Sequence, residues 1–180
     1  MDVKEILLRF AHLTNHYVEE LNAVSLEQLQ WKPSDSEWSL GQMYVHLIRT
    51  ATTSQLPKAE QTLQSDKAAS DGIDEGKTDQ GVALFERGGF PPERIYVPPS
   101  PRFTPAQPES KEQLVQGLQD VLRHMEELAP NVERTASERT AVHPRFGALQ
   151  AKEWFALVEM HYRHHLLQKD RLKKAFLSLP

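Results

Sequence analysis

The sequence predicts an all-α protein, a four-helix bundle with a long proline-rich connection between its second and third helices. Three observations predict it. Four long stretches place apolar residues three and four apart, the signature of a helix with one buried face. Two of them open on the pattern of a capping box, Ser39 with Gln42 and Ser110 with Gln113, in which each side chain satisfies an orphan backbone N–H. Between these two the periodicity dissolves from Ser65 to Glu109, which holds seven of the 12 prolines and five of the 8 glycines. No strand-like alternation competes, and no fixed-period repeat is found.

The first helix is expected over about Asp2 to Val24, with Ile6, Phe10, Leu13, Tyr17, Leu21 and Val24 on its buried face. Trp31-Lys32-Pro33 interrupts, because proline restricts its predecessor to extended conformations. The second helix opens at Ser39, and Trp38 before it is placed to staple onto Met43. Leu40, Tyr44, Leu47 and Ala51 continue its stripe to about Gln64, with Pro57 expected to kink or end it. Within 65–109, Ile95-Tyr96-Val97 is a candidate short extended piece. Loops this long inside compact domains are lids, crossovers or disordered segments. The third helix runs from Ser110 through Leu114, Leu118, Val121, Met125 and Leu128, and Pro130 is expected to close it. An irregular connector from Asn131 to about Leu149 contains His143-Pro144-Arg145-Phe146-Gly147, read as a turn with Phe146 packed on the bundle. The fourth helix is expected from about Gln150 to Leu177.

Length and composition bound the chemistry. The 180 residues fit one domain, 1–180, and 39% hydrophobic residues suffice for a core. A net charge of −4 lacks the basic field that draws a protein onto nucleic acid or acidic lipid, so neither partner is expected. There is no cysteine, which excludes disulfides, thiolate metal sites and cysteine nucleophiles. The start, Met1-Asp2-Val3-Lys4-Glu5, lacks the layout of a signal peptide, and no apolar run nears the roughly 18 residues of a membrane span. The expectation is a soluble, cytoplasmic protein acting on a small-molecule substrate.

The 8 histidines separate by angle. At about 100° per residue, Trp154, Val158, His161, His165 and Leu172 fall within about 60° of one another, so His161 and His165 lie mid-stripe one turn apart. Two such imidazoles can share a metal ion at about 2.0–2.1 Å. Buried without partners, each would cost on the order of 1–3 kcal/mol. His46 on the second helix, beside Leu47 and near the edge of the inward face, is the third candidate. Three imidazoles converging inside a bundle leave positions open for water or substrate. Gln42 and Gln168 lie near the same faces as candidates to orient ligands or water. Tyr44, Tyr162, His164 and Arg49 are candidate wall residues. His12 and His16 share the spacing but lie roughly 90–130° off their helix's apolar centre and read as boundary residues. No Glu-x-x-His, His-Glu-x-x-His, Gly-x-Ser-x-Gly, phosphate-binding loop or dinucleotide fingerprint occurs.

The stretch Trp38-Ser39-Leu40-Gly41-Gln42-Met43-Tyr44-Val45-His46-Leu47 resembles the helix-two motif of the DinB/YfiT-like superfamily of metal-dependent enzymes. His143 to Gly147 through Glu153-Trp154, followed by His161-Tyr162-Arg163-His164-His165-Leu166-Leu167-Gln168, resembles its later motif. The resemblance spans most of the chain and departs from the family in the long 65–109 region. It implies a helical bundle holding a divalent metal, nickel or zinc, on one histidine of helix two and a His-x-x-x-His of the last helix. Residue by residue these match His46, His161 and His165. Some relatives are similar to transferases that use bacillithiol, mycothiol or glutathione, and another branch isomerises maleylpyruvate with a thiol cofactor. The implied function is a metal-dependent transferase using a low-molecular-weight thiol. A metal-dependent hydrolase and a non-catalytic metal-binding stress-response or interaction module are the alternatives. Homodimerisation is expected by fold analogy alone.

Overall fold

The computed structural model describes residues 1–64, 76–92, 104–135 and 139–178. Four long helical rods pack as a bundle. The first is α1 (Val3–Asn22), capped by Asp2, whose carboxylate accepts from the backbone N–H groups of Lys4 and Glu5. A short α2 (Leu26–Gln30) follows, with its own capping box from Ser25 and Gln28. The second rod is α3 (Leu40–Thr50), a π-turn over Ala51–Gln55, and α4 (Leu56–Gln64). After α5 (Asp79–Arg87) come α6 (Lys111–Arg134) and, beyond a hairpin of β1 (Thr140–His143) and β2 (Gly147–Gln150), α7 (Ala151–Leu177). Helix α1 packs on α6 and α7, α3 on α6 and α7, and α4 on α7. Phe10, Tyr17, Tyr44 and Tyr162 meet at the centre, fully buried. Tyr17 donates its hydroxyl to the carbonyl of Tyr162 at 2.8 Å, and Tyr44 donates to that of Tyr17 at 3.2 Å.

The predicted helices stand, and neither Pro57 nor Pro130 ends its rod. The distortion at Pro57 takes the form of a π-turn. Ahead of the proline, the N–H of Leu56 reaches back five residues to the carbonyl of Ala51. That places Pro57 in the first turn of α4, where no backbone donor is required. Pro130 likewise lies inside α6, which continues to Arg134. The turn beyond it still buries Val132, and Arg134 Nε donates to the Pro130 carbonyl at 3.1 Å. Trp38 lies with its ring centroid 5.0 Å from that of His46.

Two elements were not anticipated. The 65–109 region contains α5, capped by Thr78 and ended by Gly88 in the left-handed conformation (φ 69°) that glycine adopts without strain. The connector contains the β1–β2 hairpin, paired antiparallel from Thr140↔Gln150 to His143↔Gly147. Its turn depends on Gly147, at φ 77°, where a side chain would stand 2.5 Å from the Gly76 carbonyl oxygen. Ala148 donates to that same carbonyl at 2.9 Å, so the segment entering α5 lies against the hairpin. Arg163 on α7 bonds Glu159 at 2.8 Å and the Gly88 carbonyl at 2.6 Å, fixing the end of α5 to the last helix. The proposed extended piece at Ile95-Tyr96-Val97 lies outside the described residues.

Candidate metal centre

The first half of α7 is buried almost all round, from Glu153 to Met160, because it is the central rod of the bundle. His161 follows directly and faces α3; His165 sits one turn further on. His46 approaches from α3, whose inward stripe of Met43, Tyr44 and Leu47 fixes its rotation. The ligand atoms of His46, His161 and His165 all lie within 4.8 Å of one another. His46 Nε2 and His165 Nε2 each stand 3.1 Å from His161 Nε2. Two nitrogens bound to one ion at about 2.0–2.1 Å, with angles between octahedral and tetrahedral, are separated by about 2.8–3.4 Å. Both separations fall inside that interval.

The donor set fits a divalent cation. Burial lowers the pKa of all three imidazoles. For His46, burial and then Arg49 push it down to about 4. For His165, burial and then His46 push it to about 3, against a hydrogen bond with Gln168 that raises it. His161 is held well below the usual histidine range by burial and by the neighbouring imidazoles, His165 foremost. All three are therefore neutral at pH 7, the form in which a ring nitrogen can coordinate. His165 Nδ1–H donates to Gln168 Oε1 at 2.7 Å, which leaves the Nε2 lone pair facing the cluster. His46 Nδ1 has Thr50 Oγ1 at 3.5 Å, a looser restraint. His161 Nδ1 is sealed from solvent with no hydrogen-bond partner, so packing alone orients that ring. A proton on His161 Nε2 can serve only one of its two neighbours, whereas a cation at the meeting point would satisfy all three. No fourth histidine, cysteine or carboxylate joins the group among the described residues.

The other residues singled out by sequence divide. Gln168 is beside the cluster, and His164 lines the adjoining cavity with its ring 5.0 Å from that of Phe90. Gln42 takes a different part: its Oε1 accepts from the Ser39 N–H at 3.0 Å and its Nε2 donates to the Pro105 carbonyl at 2.7 Å. Its amide thus closes the α3 cap and ties down the segment before α6, and orients no imidazole. Tyr44 and Tyr162 belong to the aromatic centre against α1, with Tyr17 5.3 and 5.9 Å from them, and do not line the cavity. Arg49 is exposed and acts on His46 only through its charge. His12 is exposed, and His16 meets Lys169 Nζ at 2.8 Å, away from the cluster.

A cavity of about 420 Å³ opens beside the three imidazoles. Trp38, Phe90, Phe146 and Leu157 give it apolar walls, and Arg171, paired with Glu37 at 2.6 Å, stands at its edge. The sequence reading placed none of these on a wall, and it also missed two polar lining residues, His143 and Gln55. His143, taken only as part of a turn, lines the cavity, its pKa pushed down to about 4 by burial and by Arg145. Gln55 lines it from the π-turn. The signal for His143 was its placement in the later motif; for Gln55 there was none, because its position depends on the π-turn.

A family model described as the DinB superfamily matches residues 7–168. No curated protein and no solved structure matches the chain.

Proposed function

The chain belongs to the DinB superfamily, and from that premise we propose that it is a divalent-metal-dependent transferase that joins a low-molecular-weight thiol to an electrophilic small molecule. The observation that carries the reading is the meeting of three neutral imidazole Nε2 atoms at the wall of a cavity rather than in a closed core. Three protein nitrogens would leave coordination positions for an outside ligand, and His46, His161 and His165 themselves line the cavity. His46, His161 and His165 would hold nickel or zinc, which when bound acts as a Lewis acid that lowers the pKa of a coordinated thiol.

The chain's own residues do the rest. Gln168 fixes the ring of His165, and Trp38 backs that of His46. Trp38, Phe90 and Phe146 offer an apolar, water-poor surface to the body of the electrophile. The chain has no cysteine, so the thiol comes from solution. This chemistry suits the reducing cytoplasm. No helix among the described residues is long and apolar enough to cross a membrane.

Elemental analysis of the untagged protein, beside a His161→Ala/His165→Ala variant, tests the site. About one divalent ion per chain, absent from the variant, is the expected result; a chain that stays metal-free when zinc or nickel is offered overturns it. Incubation of the loaded protein with glutathione, bacillithiol or mycothiol and a panel of electrophiles tests the reaction. Loss of free thiol with formation of the thioether supports transfer, whereas consumption of an ester or amide with no loss of thiol assigns metal-dependent hydrolysis instead.

A further inference from the structure

Phe90 is the wall residue that α5 delivers to the centre. Its ring centroid lies 5.0 Å from that of His164, 6.1 Å from that of His161 and 5.8 Å from that of Phe146. It stands on no rod of the bundle, but follows Gly88 and Gly89, the two glycines at the end of α5. The other end of that helix is tied to the hairpin. There the Thr78 N–H donates to the Phe146 carbonyl at 3.1 Å, and the Thr78 hydroxyl donates to the Arg145 carbonyl at 2.8 Å. That tie comes 12 residues before Phe90, too far along the chain to fix the ring.

Arg163 holds the near end, and it does so from outside the cavity. It is not among the lining residues, and at about 100° per residue it projects roughly 160° away from His161 around α7. Its Nη2 donates to the Gly88 carbonyl at 2.6 Å, placing a cation on the carbonyl end of α5, where the helix dipole favours one. Glu159, one turn earlier on α7, aims the guanidinium by accepting from Nε at 2.8 Å and from Nη2 at 3.1 Å. The Glu159 side chain is only 2% exposed, and Arg9 of α1 stands 3.7 Å from it, so the carboxylate is itself fixed by the bundle. Gly89 lies directly against the guanidinium: a Cβ there would stand 3.0 Å from Nη1. Only Gly89 separates the held carbonyl from Phe90, so the guanidinium limits where the ring can go.

We propose that Phe90 sets the cavity's affinity for an uncharged aromatic ligand, and that Arg163 is its positioning residue, acting through the Gly88 carbonyl. An aromatic ligand gains from the ring at 90 only if that ring is already in place when the ligand arrives. The inference rests on the cavity being the ligand site, but it needs no metal.

The probe is indole, a neutral aromatic and a poor metal ligand, titrated by NMR into the full chain with and without zinc. Phe90→Ala is expected to weaken its binding about 3–10-fold, from the loss of one aromatic contact. Arg163→Met is expected to cause a similar loss although it removes no part of the wall. Phe90→Ala/Arg163→Met should bind indole no more weakly than Phe90→Ala alone, because a residue acting through another adds nothing once that other is gone. The His164 ring protons report the position of Phe90 directly. The ring-current shift that Phe90 imposes on them should vanish in Phe90→Ala and shrink in Arg163→Met. Arg163→Met leaves Glu159 buried beside Arg9 alone, so Glu159→Leu/Arg163→Met, which removes both charges of the pair, replaces it if the single variant does not fold. Additive losses in Phe90→Ala/Arg163→Met, a His164 resonance unmoved by Arg163→Met, or no saturable binding of indole to the native chain overturns the proposal. Non-additive losses in a chain that takes up no zinc would sink the metal centre and spare the part given to Arg163; zinc uptake with additive losses would do the reverse.

Discussion

His161 is the shared vertex of the cluster, since both 3.1 Å separations run to its Nε2. Two side chains beside it test whether position or mere proximity matters. Gln168 orients His165 through a 2.7 Å hydrogen bond, whereas His164 packs on Phe90 and touches the cluster only edge to ring. Gln168→Ala should weaken zinc binding about 10–100-fold, the range for loss of an outer partner of a metal-bound histidine. His164→Ala should leave it unchanged. Competition with a chromophoric chelator measures both, and equal effects from the two would mean that Gln168 orients nothing. The metal-free chain should also carry a signature in pH. The pKa values of His46 and His165 are lowered by folding, so between about pH 6.5 and pH 4 the unfolded state binds more protons than the native one. Stability is then full above about pH 6.5 and falls as pH drops toward about 4, at up to about 1.4 kcal/mol per pH unit for each histidine. Urea unfolding of the chelator-treated protein across that range should show the slope, and His161→Ala/His165→Ala should flatten it.

Elements decided how much of this was legible in the sequence. The last helix and the opening of α3 were, because each carries periodicity over several turns and, in α3, a capping box that fixes its first residue. Those two elements alone set the rotation of His46, His161 and His165, so the ligand candidates were legible too. The hairpin was not: four residues per strand, with Ala141 and Leu149 the inward positions, are too short for a period of two to register. Helix α5 has nine residues and sits among prolines and glycines, so its Thr78 cap and Gly88 terminus read as loop chemistry. Pro57 and Pro130 misled because burial on either side holds each helix through its proline. The hairpin has a direct test. Gly147→Ala forces a side chain into a left-handed backbone 2.5 Å from the Gly76 carbonyl oxygen, and should destabilise the chain by about 1–3 kcal/mol. A calorimetric melting temperature unmoved by this change would mean that the contact between the hairpin and the segment entering α5 is dispensable.

At the scale of the molecule, the centre joins elements distant in sequence: His46 lies 115 residues before His161, on a different rod. Nothing in the unfolded chain holds those imidazoles together, so an ion that binds the native arrangement must stabilise the whole fold. At about 100 times its dissociation constant, such an ion adds about 2.7 kcal/mol, which for a chain of this length raises the melting temperature by roughly 5–11 °C. The rise should grow with the logarithm of free zinc and vanish in His161→Ala/His165→Ala. That variant, measured without metal, should be no less stable than the native chain. It removes two imidazoles that folding strips of water and sets against each other, one with its Nδ1 buried and unpartnered. The opposed directions separate a ligand site from a structural cluster. A polar knot that merely braced α3 against α7 would lose stability when cut and would not respond to zinc; a site shaped for a cation gains from the cut and gives up only its metal response.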